Sequence, residues 1–151
     1  MQRRTALWLL FTLLAVSAHA TEPSLSKSKY LVTTAAAFAM VPHQGVFYGM
    51  RCELRSPLSD PLYIVALFEN PEDANSPLRV DLVVEAGAKE FMVQSPPLKV
   101  LNNNTRYRVE LVLYADAALR HRLGAHDQDV LFSVRPQFEA QVEERYAIKI
   151  R

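Results

Sequence analysis

Apolar and polar side chains alternate in short segments along much of this chain, and this pattern constrains the fold more than any other feature. From residue 46 to residue 54 every even position is apolar, whereas the odd positions include Arg51 and Glu53. The same spacing recurs in residues 78–84, 106–113, 130–135 and 145–151. A period of two is typical of a strand that turns one face to the core and the other to water.

Turn-forming sequences such as SPLSDP, NPEDANSP, LNNNT and LGAHDQD separate these segments, and no long amphipathic helix is evident. The sequence therefore predicts an all-β fold, an antiparallel immunoglobulin-like sandwich of about seven to eight strands. Residues 30–40 contain TTAAAFAM, which is compatible with either a strand or a helix. Residues 139–144 have helical character and predict a single turn before a last strand in residues 145–151.

The first twenty residues have the features of an export signal. Arg3 and Arg4 precede an apolar run in residues 6–16, and Ala18 and Ala20 form a small-x-small cleavage site. The run is too short for a membrane span, which needs about 20 apolar residues. We expect a signal peptide in residues 1–20, a flexible leader in residues 21–29 and one domain in residues 30–151. The product is expected in the bacterial periplasm or outside the cell, without a membrane anchor after cleavage.

The charge balance bears on the class of partner. The chain has 17 Lys and Arg against 16 Asp and Glu. A protein that binds nucleic acid needs an excess of basic residues to displace the counterions of the phosphates. The sequence therefore predicts no nucleic-acid partner.

Cys52 is the only cysteine of a chain that we expect to be exported. It has the same parity as Tyr48, Met50 and Leu54, so it points to the same side as an apolar row. A buried cysteine acts as a small hydrophobic side chain. We expect Cys52 to be a packed structural thiol, and the alternative is a reactive or dimer-forming one.

Residues 101–111 resemble one corner of the fibronectin type III domains and their immunoglobulin-like relatives. The matching residues are Leu101, Thr105, Tyr107, Val109 and Leu111. In these folds the tyrosine hydroxyl bonds to the backbone a few residues upstream and fixes the crossover between the sheets. The resemblance implies this structural role for Tyr107 and implies a sandwich, but it implies no activity.

The sequence contains one alternative candidate site and no recognisable set of catalytic residues. Residues 120–129 form a predicted loop with candidate metal or carbohydrate ligands, His121, His126, Asp127 and Asp129. The His spacing and the lack of an assisting cysteine favour an ordinary polar turn. No nucleophile elbow or Gly-rich phosphate loop occurs in the sequence. We therefore expect no enzyme and no cofactor.

Basic side chains on predicted outward strand faces are the candidate partner site: Arg106, Arg108, Arg145, Lys149 and Arg151. Charges of this kind protect an exposed sheet edge, which remains available to a specific partner. The expected function is an exported, non-enzymatic module that binds another exported or envelope protein, as an adaptor, assembly factor or chaperone-like domain. The alternative is a carbohydrate- or metal-binding module that uses residues 120–129.

Overall fold

The structure is a computed structural model, and it describes residues 28–151. The predicted signal peptide in residues 1–20, and the leader up to residue 27, lie outside the described residues. The rest of the chain forms strands β1 (Leu31–Val41), β2 (Gly45–Leu54), β3 (Leu62–Phe68), β4 (Leu78–Val84), β5 (Glu90–Gln94), β6 (Val100–Leu101), β7 (Thr105–Tyr114), β8 (Arg122–Phe132) and β9 (Lys149–Ile150). One 3-10 turn (Pro136–Phe138) and helix α1 (Glu139–Tyr146) lie between β8 and β9.

The strands form two main antiparallel sheets. Sheet 1 has the order β1-β2-β5, and sheet 2 has the order β4-β3-β7-β8. Every strand pair within these sheets is antiparallel. The structure thus confirms the predicted all-β antiparallel sandwich. The ambiguous segment in residues 30–40 is the edge strand β1, not a helix.

Aromatic side chains fill the centre of the sandwich, where the inward faces of the two sheets meet. Tyr48 of sheet 1 packs against Phe68 and Tyr107 of sheet 2, with ring centroids 5.2 and 5.8 Å apart. Phe38 packs against Phe132 at 5.0 Å. Burial of each such ring stabilises the fold by roughly 1.5–3 kcal/mol relative to its exposure. Tyr48, Tyr107 and Phe132 belong to segments whose alternation predicted one buried face, and these three rings lie in the core as expected.

The corner before β7 has the predicted tyrosine contact. Tyr107 is buried, and its hydroxyl accepts a hydrogen bond from the backbone N–H of Asn102, five residues upstream, at 2.7 Å. Thr105 donates its hydroxyl hydrogen to the carbonyl of Asn103 at 3.1 Å within the same turn. The role implied for Tyr107 by the resemblance is therefore present in the geometry.

The C-terminal segment differs from the prediction. Residues 145 and 146 end helix α1, and only Lys149–Ile150 form a strand. The helix forms because Val142 and Tyr146 are four residues apart and both turn to the core. It ends at Ala147, whose φ of 54° is left-handed. The prediction of one long last strand is therefore wrong. Up to Tyr146 the buried apolar residues are four apart, which is a helical spacing, and they are two apart only after the left-handed Ala147.

Candidate functional site

Strand β1 is an edge strand without a charged side chain. Its sequence is LVTTAAAFAMV, and it pairs with β2 on one side only. Edge strands of natural proteins are usually protected by charges, prolines or short length, because their free N–H and C=O groups can pair with another chain. At 11 residues β1 is not short and has no charge or proline, and its β-bulge lies before the segment that begins at Ala35.

The other edges of the two sheets are protected. Strand β4 carries the ion pair between Arg79 and Asp81, whose closest atoms are 2.7 Å apart. Strand β8 carries Asp127 and Asp129 on its outward face. Strand β5 has 5 residues and is followed by two prolines. Among the four edges of the main sheets, β1 is therefore the one best suited to accept a further strand.

A β-bulge divides β1 into two parts. The pairing with β2 shifts between Thr33 and Ala35. Before the bulge, Leu31 and Thr33 are buried. After it, the outward side chains Ala35, Ala37 and Ala39 are exposed. We call residues 35–41 the free segment of β1.

The outward face of sheet 1 lacks a side chain on β2 beside the middle of the free segment. Ala37 pairs with Gly49 of β2, and Gly49 pairs with Gln94 of β5. A Cβ on Gly49 would collide with the backbone carbonyl oxygen of Val93. The close approach of β2 and β5 therefore requires glycine at this position, which leaves no side chain there to cover the face.

Strand β1 faces the edge of strand β8 of the opposite sheet. We call the contact between the two strands, which includes Thr33 and His126, the β1–β8 seam. The Thr33 hydroxyl oxygen is 2.7 Å from Nε2 of His126, and both residues are buried. Burial lowers the pKa of His126, so the neutral imidazole is favoured. No backbone hydrogen bond joins β1 to β8 within residues 28–151. Side chains therefore close the seam.

Cys52 lies beside this seam. It pairs with Thr33 across the β1–β2 ladder and is fully buried. Burial raises the pKa of its thiol to about 12, although a hydrogen bond with Thr33 opposes the shift. Its position agrees with a packed thiol that is inert at neutral pH.

Residues 122–129 of the predicted loop are part of a strand, and this correction separates the candidate ligands. Residues 122–132 form β8, so successive side chains point to opposite faces. His126 is buried, whereas Asp127 is exposed. His121 lies before the strand and is hydrogen-bonded to the carboxylate of Asp116 through Nδ1 at 2.9 Å. The turn chemistry of GAHDQD misled the prediction, because pairing with β7 over ten positions dominates.

The predicted basic residues do not form one continuous row. Arg108 lies on β7 and is paired with Asp129 at 3.2 Å. Arg106 is exposed two positions earlier on the same strand. Lys149 is on β9 and Arg145 is in α1, so they belong to different elements. Arg151 follows β9, and its carbonyl accepts a hydrogen bond from the N–H of Asn103 at 2.9 Å.

The C-terminal strand offers little free backbone for a partner. The N–H groups of Lys149 and Arg151 donate to the carbonyls of Lys99 and Leu101 on the β6 side. The N–H of Ile150 donates to the carboxylate of Glu143 in α1 at 2.7 Å. The strand that the sequence suggested as the binding edge is thus two residues long and already bonded on both sides.

The free segment of β1 was missed because alanine fits both faces of a strand and also favours a helix. One signal for it was present in the sequence. Residues 31–41 contain no charge, although 22% of the whole chain is charged. An uncharged segment beside a polar leader could have suggested an unprotected edge.

Two features are absent from the described part of the chain. No cluster of three or more His, Cys, Asp and Glu side chains in residues 28–151 could hold a metal ion. Among the helices of residues 28–151, none has the length and apolar character of a membrane span.

Comparisons with known proteins gave two similar structures. No family model matches the chain, and no curated protein matches it. The chain is similar to a β-glucuronidase of Bacteroides uniformis, with a TM-score of 0.40 and 16% identity over 68% of this chain and 13% of that one. It is also similar to β-glucuronidase 2 of Bacteroides uniformis covalently bound to cyclophellitol-6-carboxylate aziridine, with a TM-score of 0.36 and 14% identity over 68% and 13% of the two chains. The chain therefore spans a small part of either enzyme.

Proposed function

We propose that this protein is an exported, non-enzymatic binding module that takes an extended segment of another protein as an added strand along the free segment of β1. The observation that supports the proposal is the uncharged, unpaired edge of β1, set among three edges that are charged or short. Main-chain hydrogen bonds to an edge give such complexes their affinity, and alternate side chains give specificity.

The side chains of the free segment favour a particular kind of added strand. Ala35, Ala37 and Ala39 leave room on the outward face, and the half-buried Phe38 and Met40 lie on the inward face. A partner strand with bulky apolar side chains would cover both sets. At about 25 cal/mol for each Å² of apolar area removed from water, this coverage adds to the backbone bonds.

The place of action and the fold family are further parts of the proposal. The basic, apolar and small-residue pattern of residues 1–20 supports export to the periplasm or beyond, so the partner is another exported or envelope protein. The Tyr107 hydrogen bond to Asn102 supports a fibronectin type III or immunoglobulin-like type of sandwich. The fold by itself supports this mode of binding but identifies no particular partner.

The test uses the processed protein as bait in periplasmic extract, with Ala37→Lys and Ala39→Lys as edge variants. Both positions are exposed, so the added lysines should leave the melting temperature within a few degrees. A charge beside the free segment should reduce capture of the partner at least tenfold. Hydrogen exchange of the complex should show new protection in residues 35–41.

Two matched controls keep the result specific. Val83→Lys places the same charge on the outward face of β4, where the side chain is 49% exposed, and should leave capture unchanged. The double variant Lys149→Glu and Arg151→Glu tests the basic C-terminal segment. Full capture by the β1 variants, or a loss caused only by the C-terminal variant, would overturn the assignment to β1.

A further inference from the structure

Three donor side chains that soft metal ions prefer meet at one hydroxyl in the β1–β8 seam. Thr33 Oγ1 is 2.7 Å from Nε2 of His126 and 3.8 Å from Sδ of Met50. Cys52 is paired directly with Thr33 across the β1–β2 ladder, so its side chain lies on the same face of the sheet. An imidazole and a thioether therefore contact the Thr33 hydroxyl, and a thiol is on the residue paired with Thr33.

The strand geometry explains why these groups meet. Met50 and Cys52 are two residues apart on β2 and point to the same face. Thr33 pairs directly with Cys52 on the neighbouring strand. His126 reaches the group from β8 of the opposite sheet. The donors come from three strands, and Met50, Cys52 and His126 are at most 2% exposed.

We propose that Met50, Cys52 and His126 form a buried site for one monovalent soft metal ion, Cu(I). Thiolate and thioether ligands select Cu(I), and imidazole is also a good ligand for copper. The site shares His126 with the predicted loop site but differs from it otherwise, because it lies on the inward face of β8 and uses none of His121, Asp127 and Asp129.

Charge balance favours a monovalent ion. Binding replaces the hydrogen of the Cys52 thiol by Cu(I), so that one sulfur–hydrogen bond breaks, one sulfur–copper bond forms and one proton leaves to solvent. The thiolate and Cu(I) together carry no net charge, which is what a buried site tolerates best. A divalent ion would leave one positive charge uncompensated in the core.

Space for the ion requires one movement of Thr33. A threonine side chain has three staggered rotamers, and one of them puts its Cβ hydrogen where the hydroxyl oxygen stood. That rotation vacates the centre of the three donors. Entry is favoured at the seam, because the β1 bulge lies between Thr33 and Ala35 and side chains close this side of the sandwich.

The test is an anaerobic titration of the processed, reduced protein with Cu(I) in competition with a chromophoric Cu(I) chelator. We expect one Cu(I) per chain, release of one proton per ion and a rise in melting temperature, since a ligand that binds only the native state stabilises it. Cu(I) is diamagnetic, so the methionine methyl resonances remain observable. The resonance of Met50 should shift when its sulfur binds the ion, and those of Met40 and Met92 should not.

Variants distinguish this site from surface binding. Met50→Leu conserves the core volume and should fold, yet it should weaken Cu(I) binding at least tenfold. Met92→Leu removes a thioether that is 66% exposed and should change nothing. Cys52→Ser should abolish proton release, with circular dichroism to check its fold. If the chelator retains all the Cu(I), or if Met50→Leu binds as tightly as the native sequence, the site does not exist.

Discussion

The hydroxyl group of Tyr107 provides the most direct test of the corner that orders the sandwich. In the native protein it accepts a hydrogen bond from the Asn102 N–H at 2.7 Å, and the ring is 1% exposed. Tyr107→Phe removes only the hydroxyl and keeps the ring in the core. The Asn102 N–H then loses its partner in a site that water does not reach easily.

The expected cost follows from the unpaired donor. Leaving one buried backbone group without its hydrogen bond costs about 1–3 kcal/mol. For a domain of this size, 1 kcal/mol corresponds to about 4 °C, so the melting temperature should fall by roughly 4–12 °C. The measurement is a thermal melt followed by circular dichroism, together with urea denaturation to obtain the free energy of unfolding.

A matched control separates the hydrogen bond from the general effect of a lost hydroxyl. Tyr63 is half-buried on β3, and its hydroxyl makes no hydrogen bond among residues 28–151. Tyr63→Phe should therefore melt within about 2 °C of the native protein. Coincident melts of the Tyr107→Phe and Tyr63→Phe proteins would refute the reasoning, because the corner bond would then contribute nothing.

Three further predictions concern other parts of the sandwich. Gly49→Ala should destabilise the protein by about 1–3 kcal/mol in urea denaturation, because the new Cβ meets the Val93 backbone, whereas Gly124→Ala has space and should be near neutral. Burial raises the pKa of the Cys52 thiol to about 12, so a thiol reagent at pH 8 should label the native protein far more slowly than the urea-unfolded one, and equal rates would contradict the packed thiol. Backbone N–H bonds from the following turn lower the pKa of Asp116, so its stabilising contribution is present above the ordinary carboxyl pKa and is lost as pH falls through the lowered value. Asp116→Asn should therefore weaken the acid dependence of unfolding, and an unchanged pH profile would contradict this role.

The alternation of side chains was sufficient to predict the fold class. Met50 and Cys52 in β2, and Val109 and Leu111 in β7, all face the core as expected. Alternation identifies a strand because one buried face must be apolar, and that requirement is local. The contact of Tyr107 was implied by the resemblance of residues 101–111 to fibronectin type III domains, and it is also local, since its partner is five residues away in sequence.

The edge of β1 and the β1–β8 seam were less predictable than the fold, because both depend on pairing between segments that are distant in sequence. His126 looked like a loop ligand, and its burial follows from the β7–β8 ladder, which opposes it to Leu111. Its partner Thr33 is 93 residues away in sequence. No local pattern encodes such a contact. The exclusion of Lys, Arg, Asp and Glu from residues 31–41 was visible, but its meaning required knowing that β1 is an edge.

Features that are unusual in a β-sandwich, namely buried polar side chains and an uncharged edge strand, lie together at one side of this molecule. An interior histidine and glutamine, His126 and Gln128, occupy successive inward positions of β8, and Oε1 of Gln128 has no hydrogen-bond partner among the described residues. Buried polar groups cost free energy unless they are paired. Opposite them β1 has a bulge and an unprotected edge. Sequences keep such local costs mainly where function requires them, so the β1–β8 seam is where ligand and partner experiments should begin.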